Sequence, residues 1–324
     1  MVKVPDDRLD RLAVLVNARK TTYIEARILD FPSFSVGKKG PPAQLLGSLS
    51  TSDLLVHVVR AFDGESLPGE TDAVDPARDV AALDLELALA DLGAVEKRIE
   101  RVAAEMRSLA AGARGTYERE MALLERLKTG LEAELPIRAQ DVAASDLATL
   151  SGFNFLTAKP LLVVLNAAEE DASRTKDIET EVEGVLGGRG IGVVALAAKT
   201  EADLTELSVD EAKEFRRELG LPPDAASGRL LLAAMSMLGQ ISFFTAGPQD
   251  THAWSVAAGT PAVKAAGKVH SDIERGFIRA EVIGWQEYLD CGSLVEAKRR
   301  GLLRVEGKTY IVQDGDVINV LFNV

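Results

Sequence analysis

The spacing of apolar residues divides the first half of the chain into two kinds of element. A helix is predicted at 7–18 and a strand at 22–30. The run LLVHVVR at 54–60 is typical of a strand buried in a parallel sheet. From Leu85 the apolar positions advance in steps of three or four residues, which predicts a long helix with a coiled-coil seam. The seam residues are Leu85, Leu89, Leu92, Val95, Ile99, Val102, Met106 and Leu109.

A second helical stripe follows the break AGARG at 111–115. Two helices joined by a short Gly-containing turn form an antiparallel hairpin. Such a hairpin, with charged outer faces, is more often an arm for binding a partner than a catalytic element. The apolar residues of the second stripe are Tyr117, Met121, Leu124, Leu127 and Leu131.

Strand patterns return in the second half of the chain. The segment PLLVVLN, which begins at Pro160, and IGVVAL at 191–196 read as strands, with a helix at 176–186 between them. Strand, helix and strand at this spacing predict a parallel α/β unit, so the hairpin is inserted into an α/β domain. After helices at about 209–219 and 229–239, the last 84 residues alternate short β segments with one helix at 293–300. They predict an α+β module with strands at ISFFTAG, HAWSV, FIRAEVI, KTYIV and VINVLFNV.

Composition narrows the class of protein. A chain of 324 residues with 47% hydrophobic residues is long enough for two or three domains. No apolar run approaches the ~18–20 residues that span a bilayer, and the charged N-terminus has no signal-peptide pattern, so we expect no membrane contact. A single cysteine, Cys291, excludes an internal disulfide and fits a cytoplasmic protein. The three scattered histidines make a zinc site improbable.

Negative charge is concentrated outside the last 84 residues. The net charge is −13, yet residues 241–324 hold 9 Lys and Arg against 10 Asp and Glu. This segment also contains the dense basic cluster Lys298, Arg299 and Arg300. The cluster is either a solvated helix end or a surface for RNA.

Nearly the whole chain resembles one family. The segment from Gln240 to Ile283, with EGKTYIVQDGDVINVLFNV at the end, is similar to the C-terminal TGS domain of the Obg-like ATPase (YchF) family. Upstream segments echo the family in the same order: VPDDRLDRLA, HVVRAFDG, VDPARDV, LELALADLGAVEKRIERV, FLTAKPLLVVLNAAEED and KTEADLTEL.

The resemblance implies the architecture. It predicts an α/β fold with an incomplete Ras-like parallel sheet at 1–83 and 146–240 and an inserted antiparallel helical hairpin at 84–145. Residues 241–324 are expected to form an α+β β-grasp (TGS) domain. It also implies a site for ATP, in preference to GTP, with Mg²⁺, and the ribosome or RNA as a partner.

The base-contacting end of that nucleotide site matches the family pattern. Asn166-Ala167-Ala168-Glu169 corresponds to the family's N-x-x-E motif, in which Glu is associated with adenine. Ala197-Ala198-Lys199 corresponds to the second base loop. The resemblance therefore implies nucleotide contacts from Asn166, Ala167, Glu169, Ala198 and Lys199. The alternative is that these are ordinary loops at strand ends that no longer bind a ligand.

The phosphate-binding end departs from the pattern. The sequence contains no G-x-x-x-x-G-K-[ST], and the family's P-loop is expected to lie upstream of the matching residues. At the family's D-x-x-G the chain has Asp30-Phe31-Pro32-Ser33, and GKKG at 37–40 has the wrong order and context. Losing that Gly hinders close approach of an N–H to the γ-phosphate, and Pro32 has no N–H. Asp30 is a weak candidate for a Mg²⁺ ligand, or else an end-of-strand cap.

Two functions remain open from the sequence. The first is a pseudo-GTPase that does not hydrolyse nucleotide and binds a partner through the hairpin and the TGS domain. The second is a genuine ATP or GTP hydrolase whose P-loop segment is missing from this chain. The resemblance implies that the first strand of the family's Ras-like sheet lies between the strands at 22–30 and 54–60, and we expect it to be absent here. In either case the two strands would then stand about 10 Å apart, twice the 4.7–4.9 Å spacing of neighbouring strands. We expect these strands to pair directly; otherwise a strand from a second chain fills the gap and makes an oligomer.

Overall fold

The computed structural model describes residues 1–31, 41–62, 74–108, 110, 114–186, 188 and 190–323. These residues divide into two units. One unit comprises residues 1–29 together with 230–324, and the other comprises residues 30–229.

Eleven strands lie in the described residues, in three sheets. In chain order they are β1 (Val2–Lys3), β2 (Thr21–Thr22), β3 (Glu25–Ala26), β4 (Leu55–Ala61), β5 (Leu161–Ala167), β6 (Ile191–Leu196), β7 (Gln240–Ala246), β8 (Thr251–Ala257), β9 (Phe277–Gly284), β10 (Arg304–Glu306) and β11 (Asp316–Phe322).

Thirteen α-helices accompany the strands of the described residues. They are α1 (Asp7–Leu15), α2 (Ala43–Ser50), α3 (Pro76–Ser108), α4 (Gly115–Glu132), α5 (Ala144–Thr149), α6 (Thr175–Leu186), α7 (Ala198–Leu204), α8 (Val209–Glu218), α9 (Ala226–Met237), α10 (Ala262–Val269), α11 (Ser271–Arg275), α12 (Trp285–Cys291) and α13 (Leu294–Arg299).

The unit of residues 30–229 is built on the parallel sheet β4-β5-β6. Its central strand β5 is an apolar run, LLVVL, because it is buried on both faces. Leu55, Leu161 and Leu165 pack on one face against residues of α3 and α6. The predicted parallel α/β unit is therefore confirmed.

The helix α3 connects this sheet to the hairpin. Its first half packs on the sheet through Val80 and Leu87, and its second half packs against α4 through Val95 and Val102. Arg98 forms a two-pronged ion pair with Glu120, with nitrogen–oxygen distances of 2.7 and 2.9 Å. Because Lys128, further along α4, pairs with the earlier Glu96, the two helices are antiparallel, as predicted.

A buried carboxylate holds the chain that returns from the hairpin. Asp91 on α3 accepts hydrogen bonds from the backbone N–H groups of Leu156 and Thr157, at 2.9 and 2.7 Å. It also accepts the Thr157 hydroxyl at 2.7 Å. These bonds fix the segment that leads directly into β5.

The C-terminal unit contains the six-stranded sheet β10-β9-β11-β7-β8-β2. The hairpin β7–β8 is antiparallel, β11 runs parallel to β7, and β9 lies outside β11. This is the strand order of a β-grasp fold, as predicted. The strand predicted at KTYIV differs: that segment contributes an isolated bridge at Ile311, and β10 lies a few residues earlier.

Helices cover both faces of this sheet. On one face α10 and α11 pack over Phe243, Ala280 and Ile318. On the other face α1, α12 and α13 pack over Phe244, Ile283 and Val317, with Leu9 and Leu12 fully buried. The N-terminal helix is thus part of the core of the C-terminal unit.

The division of the chain differs from the predicted boundaries at the N-terminus. Residues 1–29, expected in the α/β domain with the rest of 1–83, lie in the C-terminal unit. The strand predicted at 22–30 is wrong. Its place is taken by β2, which pairs with β8 through Thr21 and Thr251, and by β3, which pairs with β1. Leu9 and Leu12 of α1 are buried in the core of the C-terminal unit. The segment that follows α1 therefore lies in that unit as well.

This placement also answers the question of the missing central strand. No described strand lies beside β4 on the side away from β5, so the expected ladder between 22–30 and 54–60 is wrong. The expected 10 Å gap does not arise, because β2 and β3, which replace the strand predicted at 22–30, lie in the C-terminal unit. Pairing of β4 with a second chain stays a prediction.

Candidate nucleotide-base site

Two loops meet at the carboxyl ends of β5 and β6. Neighbouring parallel strands end at the same edge of a sheet, so the loops that follow them are adjacent. The side-chain Oδ1 of Asn166, the next-to-last residue of β5, accepts a hydrogen bond from the backbone N–H of Ala198 at 3.1 Å. Ala198 is the first residue of α7, directly after β6.

A second contact closes the same pair of loops. The Lys199 ammonium donates a hydrogen bond to a carboxylate oxygen of Glu169, which raises the pKa of Lys199. Both side chains remain largely in solvent, at 72% and 50% exposed. The carboxylate that the family resemblance assigns to the base therefore has a competing partner within the protein.

The sequence-predicted base residues are thus brought together. The carboxyl ends of β5 and β6 bring together Asn166, Glu169, Ala198 and Lys199. The roles of these residues toward a base stay predictions. Ala167 differs from them because its side chain is 5% exposed and packs inward.

Two buried ion-pair networks, which sequence reasoning missed, hold this edge of the sheet. Glu179 on α6 accepts the Ala195 N–H at 2.9 Å and pairs with Arg229 at 2.9 Å. Arg229 in turn donates to the Ala195 carbonyl at 2.8 Å. In the second network, Glu201 on α7 pairs with Arg216 at 3.0 Å. The partners are separated by 15 to 50 residues, so no local pattern predicts them.

Asp30 is the candidate residue for the phosphate-binding end of the site. Asp30 is exposed and follows β3 without being part of a strand. Among the described residues no group of three His, Cys, Asp or Glu side chains is placed to hold a metal ion. Pro32, Ser33 and the GKKG segment lie outside the described residues.

Comparison with known proteins identifies the family. The family described as YchF-GTPase_C, a protein of unknown function (DUF933), matches residues 240–323. The chain is 36% identical over 329 residues to the ribosome-binding ATPase YchF of Bacillus subtilis, covering 100% of this chain and 88% of that protein. The protein of the same name from Escherichia coli O157:H7 is 36% identical over 327 residues, with the same coverage. The chain belongs to the YchF family.

Solved structures agree with this assignment. The YchF GTPase of Schizosaccharomyces pombe superposes with a TM-score of 0.87 at 25% identity, covering 99% of this chain and 86% of that one. A GTP-binding protein of Pyrococcus horikoshii shares the fold with a TM-score of 0.53 at 18% identity, covering 99% of this chain and 97% of that one. Within the described residues, no helix of this YchF-family chain is both long and apolar enough to span a membrane.

The basic cluster of this YchF-family chain is less positive than its sequence indicates. Both Arg299 and Arg300 hydrogen-bond to one carboxylate, Glu296, at distances of 2.6 to 2.7 Å. These bonds lower the pKa of Glu296 to about 2. Lys298 has no partner in the described part of the chain. Two of the three cations, Arg299 and Arg300, therefore share one anion on α13.

Proposed function

We propose that this protein acts at the ribosome, as a YchF-family member whose nucleotide site retains its base-contacting end. We also propose that the 324-residue chain does not itself hydrolyse ATP or GTP. Relatives that match 100% of this chain are named ribosome-binding ATPases, which supports the ribosome as the partner. The observation that carries the nucleotide proposal is the contact of Asn166 with the loop of Ala198.

The balance of interactions supports weak nucleotide binding. Base-reading hydrogen bonds contribute about 1–3 kcal/mol after desolvation, which corresponds to an affinity of roughly millimolar or weaker. Glu169 already accepts a hydrogen bond from Lys199, so a base either competes with Lys199 for this carboxylate or uses its other oxygen. Phosphoryl transfer depends on positioning and neutralising the phosphates, and the sequence has no G-x-x-x-x-G-K-[ST] for that purpose.

Ligand-detected NMR with the full chain tests the base site. Adenosine and ATP are expected to bind equally, because the phosphates gain no dedicated contact. Asn166→Ala is expected to abolish both signals, whereas Asn323→Ala, a control amide at the other end of the chain, leaves them unchanged. An affinity for ATP that is tenfold or more above that for adenosine would contradict the proposal.

Phosphate release in the presence of Mg²⁺ tests hydrolysis. The purified chain is expected to release no more phosphate from ATP or GTP than a heat-denatured control. Turnover that disappears in Asp30→Ala would instead support the alternative function, a genuine hydrolase.

Ribosome contact is proposed to involve the end of α13, at Lys298, Arg299 and Arg300. Neutralising all three residues to Gln is expected to weaken co-sedimentation with ribosomes and to flatten its dependence on salt, because fewer counterions are released. The matched comparison neutralises Lys97, Arg101 and Arg107 on the helical hairpin. If only the hairpin variant loses binding, the ribosome contact lies on the helical hairpin instead.

A further inference from the structure

The two parallel strands at the centre of the C-terminal sheet separate and leave a cavity between them. They share the registered pair Val317 and Phe244, after which β7 ends at Ala246 while β11 continues to Phe322. The cavity has a volume of about 300 Å³ and is lined by residues from both faces of the sheet. That volume lies at the small end of the range of ligand sites, about 300–1,000 Å³.

One wall of the cavity is a free strand edge. Beyond Val317, β11 pairs with β9 on one side and has no registered partner in β7 on the other. Alternate residues of a strand direct their N–H and C=O groups to opposite edges. The segment Asn319–Phe322 therefore presents unpaired backbone groups to the cavity, and such an edge accepts a further strand.

The remaining lining is apolar and contains one unpaired hydroxyl. Val269 and Ile273 line the cavity on one face of the sheet, and Leu294 and Leu303 line it on the other. Tyr288 also lines it, is 5% exposed, and has no hydrogen-bond partner in the part of the chain that the structure describes. Burial raises the pKa of Tyr288, so its phenol stays protonated and available as a donor.

Two carboxylates give the cavity a negative rim. Asp250 accepts the Thr22 hydroxyl at 2.9 Å, and Glu281 accepts the side-chain amide of Asn319 at 2.9 Å. Within the described residues neither carboxylate pairs with a lysine or arginine. The Asp250 carboxylate lies 3.7 Å from the imidazole of His252, whose pKa is lowered chiefly by burial. This rim repels phosphate groups and attracts cationic side chains.

The geometry points to a binding site for an extended basic peptide in this cavity. The peptide adds its backbone to the free edge of β11 and places an aliphatic side chain against Val269 and Ile273, on one face of the sheet. A lysine or arginine of the peptide reaches Asp250 and Glu281. Main-chain bonds supply affinity in this mode of recognition, and the pockets for alternate side chains supply specificity. The site is independent of the nucleotide site and of the basic cluster on α13.

Calorimetric and NMR titrations of the full chain, with three seven-unit probes, test the charge and the strand edge. A seven-residue peptide of alternating valine and lysine is expected to bind and to shift the backbone amide resonances of residues 319–322. The same peptide with glutamate for lysine, and a seven-nucleotide single-stranded RNA, are expected not to bind there. Equal binding of the acidic peptide, or binding of the RNA at these amides, overturns the proposal.

A plug in the cavity tests its location. An added Cβ at Gly247 meets just the Asp250 carbonyl at 3.7 Å, so Gly247→Leu fits the backbone and fills the cavity. Binding is expected to disappear in this variant. Gly307→Leu is the matched control, because an added Cβ there has no neighbour within 4 Å and Gly307 does not line the cavity. Unchanged binding in Gly247→Leu shows that the peptide does not enter here.

If Gly247→Leu unfolds the C-terminal unit, variants that remove charge from the cavity rim test the proposal instead. Asp250→Asn with Glu281→Gln keeps both acceptors for Thr22 and Asn319 and removes the negative rim. Binding of the lysine peptide is expected to weaken about tenfold at low salt, from two partly exposed ion pairs. Asp290→Asn with Glu306→Gln removes the same charge elsewhere in the unit and is expected to have no effect. Equal effects of the two double variants contradict the site.

Discussion

A single carboxylate, Glu296, controls the charge of the most basic surface segment. Arg299 and Arg300 both donate to it, and their bonds hold its pKa at about 2, below the ordinary 4.5. A polyanion that binds this segment must draw both guanidinium groups away from Glu296 or accept their remaining donors. The affinity of the cluster for RNA is therefore expected to be lower than three free cations would give.

The titration of Glu296 is the first prediction. In the folded chain its side-chain NMR resonance is expected to titrate near pH 2, and in Arg299→Gln/Arg300→Gln it is expected to return toward 4.5. Because the folded pKa is depressed, the stabilisation is present above pH 4.5 and is lost as the pH falls toward 2. A midpoint that is the same in both proteins would show that the two ion pairs do not form in solution.

A second residue-scale prediction concerns Asp91. Asp91→Ala leaves two backbone N–H groups and the Thr157 hydroxyl without their acceptor in a buried place. Each unsatisfied group costs about 1–3 kcal/mol, so we expect a loss of about 3 kcal/mol or more in the free energy of unfolding, measured in urea. Asp141→Ala, an exposed position after the hairpin, is the control. A loss below 1 kcal/mol for Asp91→Ala would contradict the assigned role.

The residues of the base loops could be predicted from the sequence. The buried ion pairs that hold these loops in place could not. Asn166 and Ala198 follow apolar runs that identify buried strands, and parallel strands bring their ends together. Glu179 and Arg229 lie 50 residues apart, each in a helix with ordinary charge patterning. Their pairing depends on how two helices pack, which no spacing along the chain reports.

At the scale of elements, the helix α3 shows where periodicity is informative. The predicted seam is correct between Val95 and Val102. Both of these residues are fully buried against α4. It is wrong at Leu85 and Leu89, which are 40% and 56% exposed, while Leu87 is fully buried. The reason is that the first half of α3 packs on the sheet and the second half on α4, and these partners lie on different sides of the helix.

Two leucines test this change of face within one helix. Leu87→Ala is expected to lower the free energy of unfolding by about 2–5 kcal/mol, because it opens a cavity against the sheet. Leu89→Ala, the same substitution two residues away, is expected to change it by less than about 0.5 kcal/mol. Denaturant unfolding of both variants provides the measurement. A larger loss for Leu89→Ala would restore the seam that periodicity predicts.

At the scale of the whole molecule, the observed division sharpens the charge asymmetry. The unit of residues 1–29 and 230–324 holds 15 Lys and Arg against 14 Asp and Glu. The unit of residues 30–229 holds 22 against 36. The first 29 residues thus give the C-terminal unit a net charge of +1, whereas the other unit has a net charge of −14. A partner with a phosphate backbone is repelled less by the C-terminal unit, which agrees with the proposed contact at α13.

The last prediction tests to which unit the N-terminal helix belongs. Both tryptophans of the chain, Trp254 and Trp285, lie in the C-terminal unit, so their fluorescence reports its unfolding. Leu12 is fully buried in the core of that unit beside Phe244 and Ile283. Leu12→Ala is expected to lower the stability seen by tryptophan fluorescence in urea by about 3 kcal/mol, through the cavity that it leaves.

Leu161→Ala is the matched control for this experiment, because Leu161 is fully buried in the core of the α/β unit. It is expected to shift the helical circular dichroism transition more than the tryptophan transition. If residues 1–83 instead formed part of the α/β domain, as the sequence alone predicts, Leu12→Ala would follow the pattern of Leu161→Ala. A tryptophan transition that Leu12→Ala leaves unchanged would therefore remove α1 from the C-terminal core.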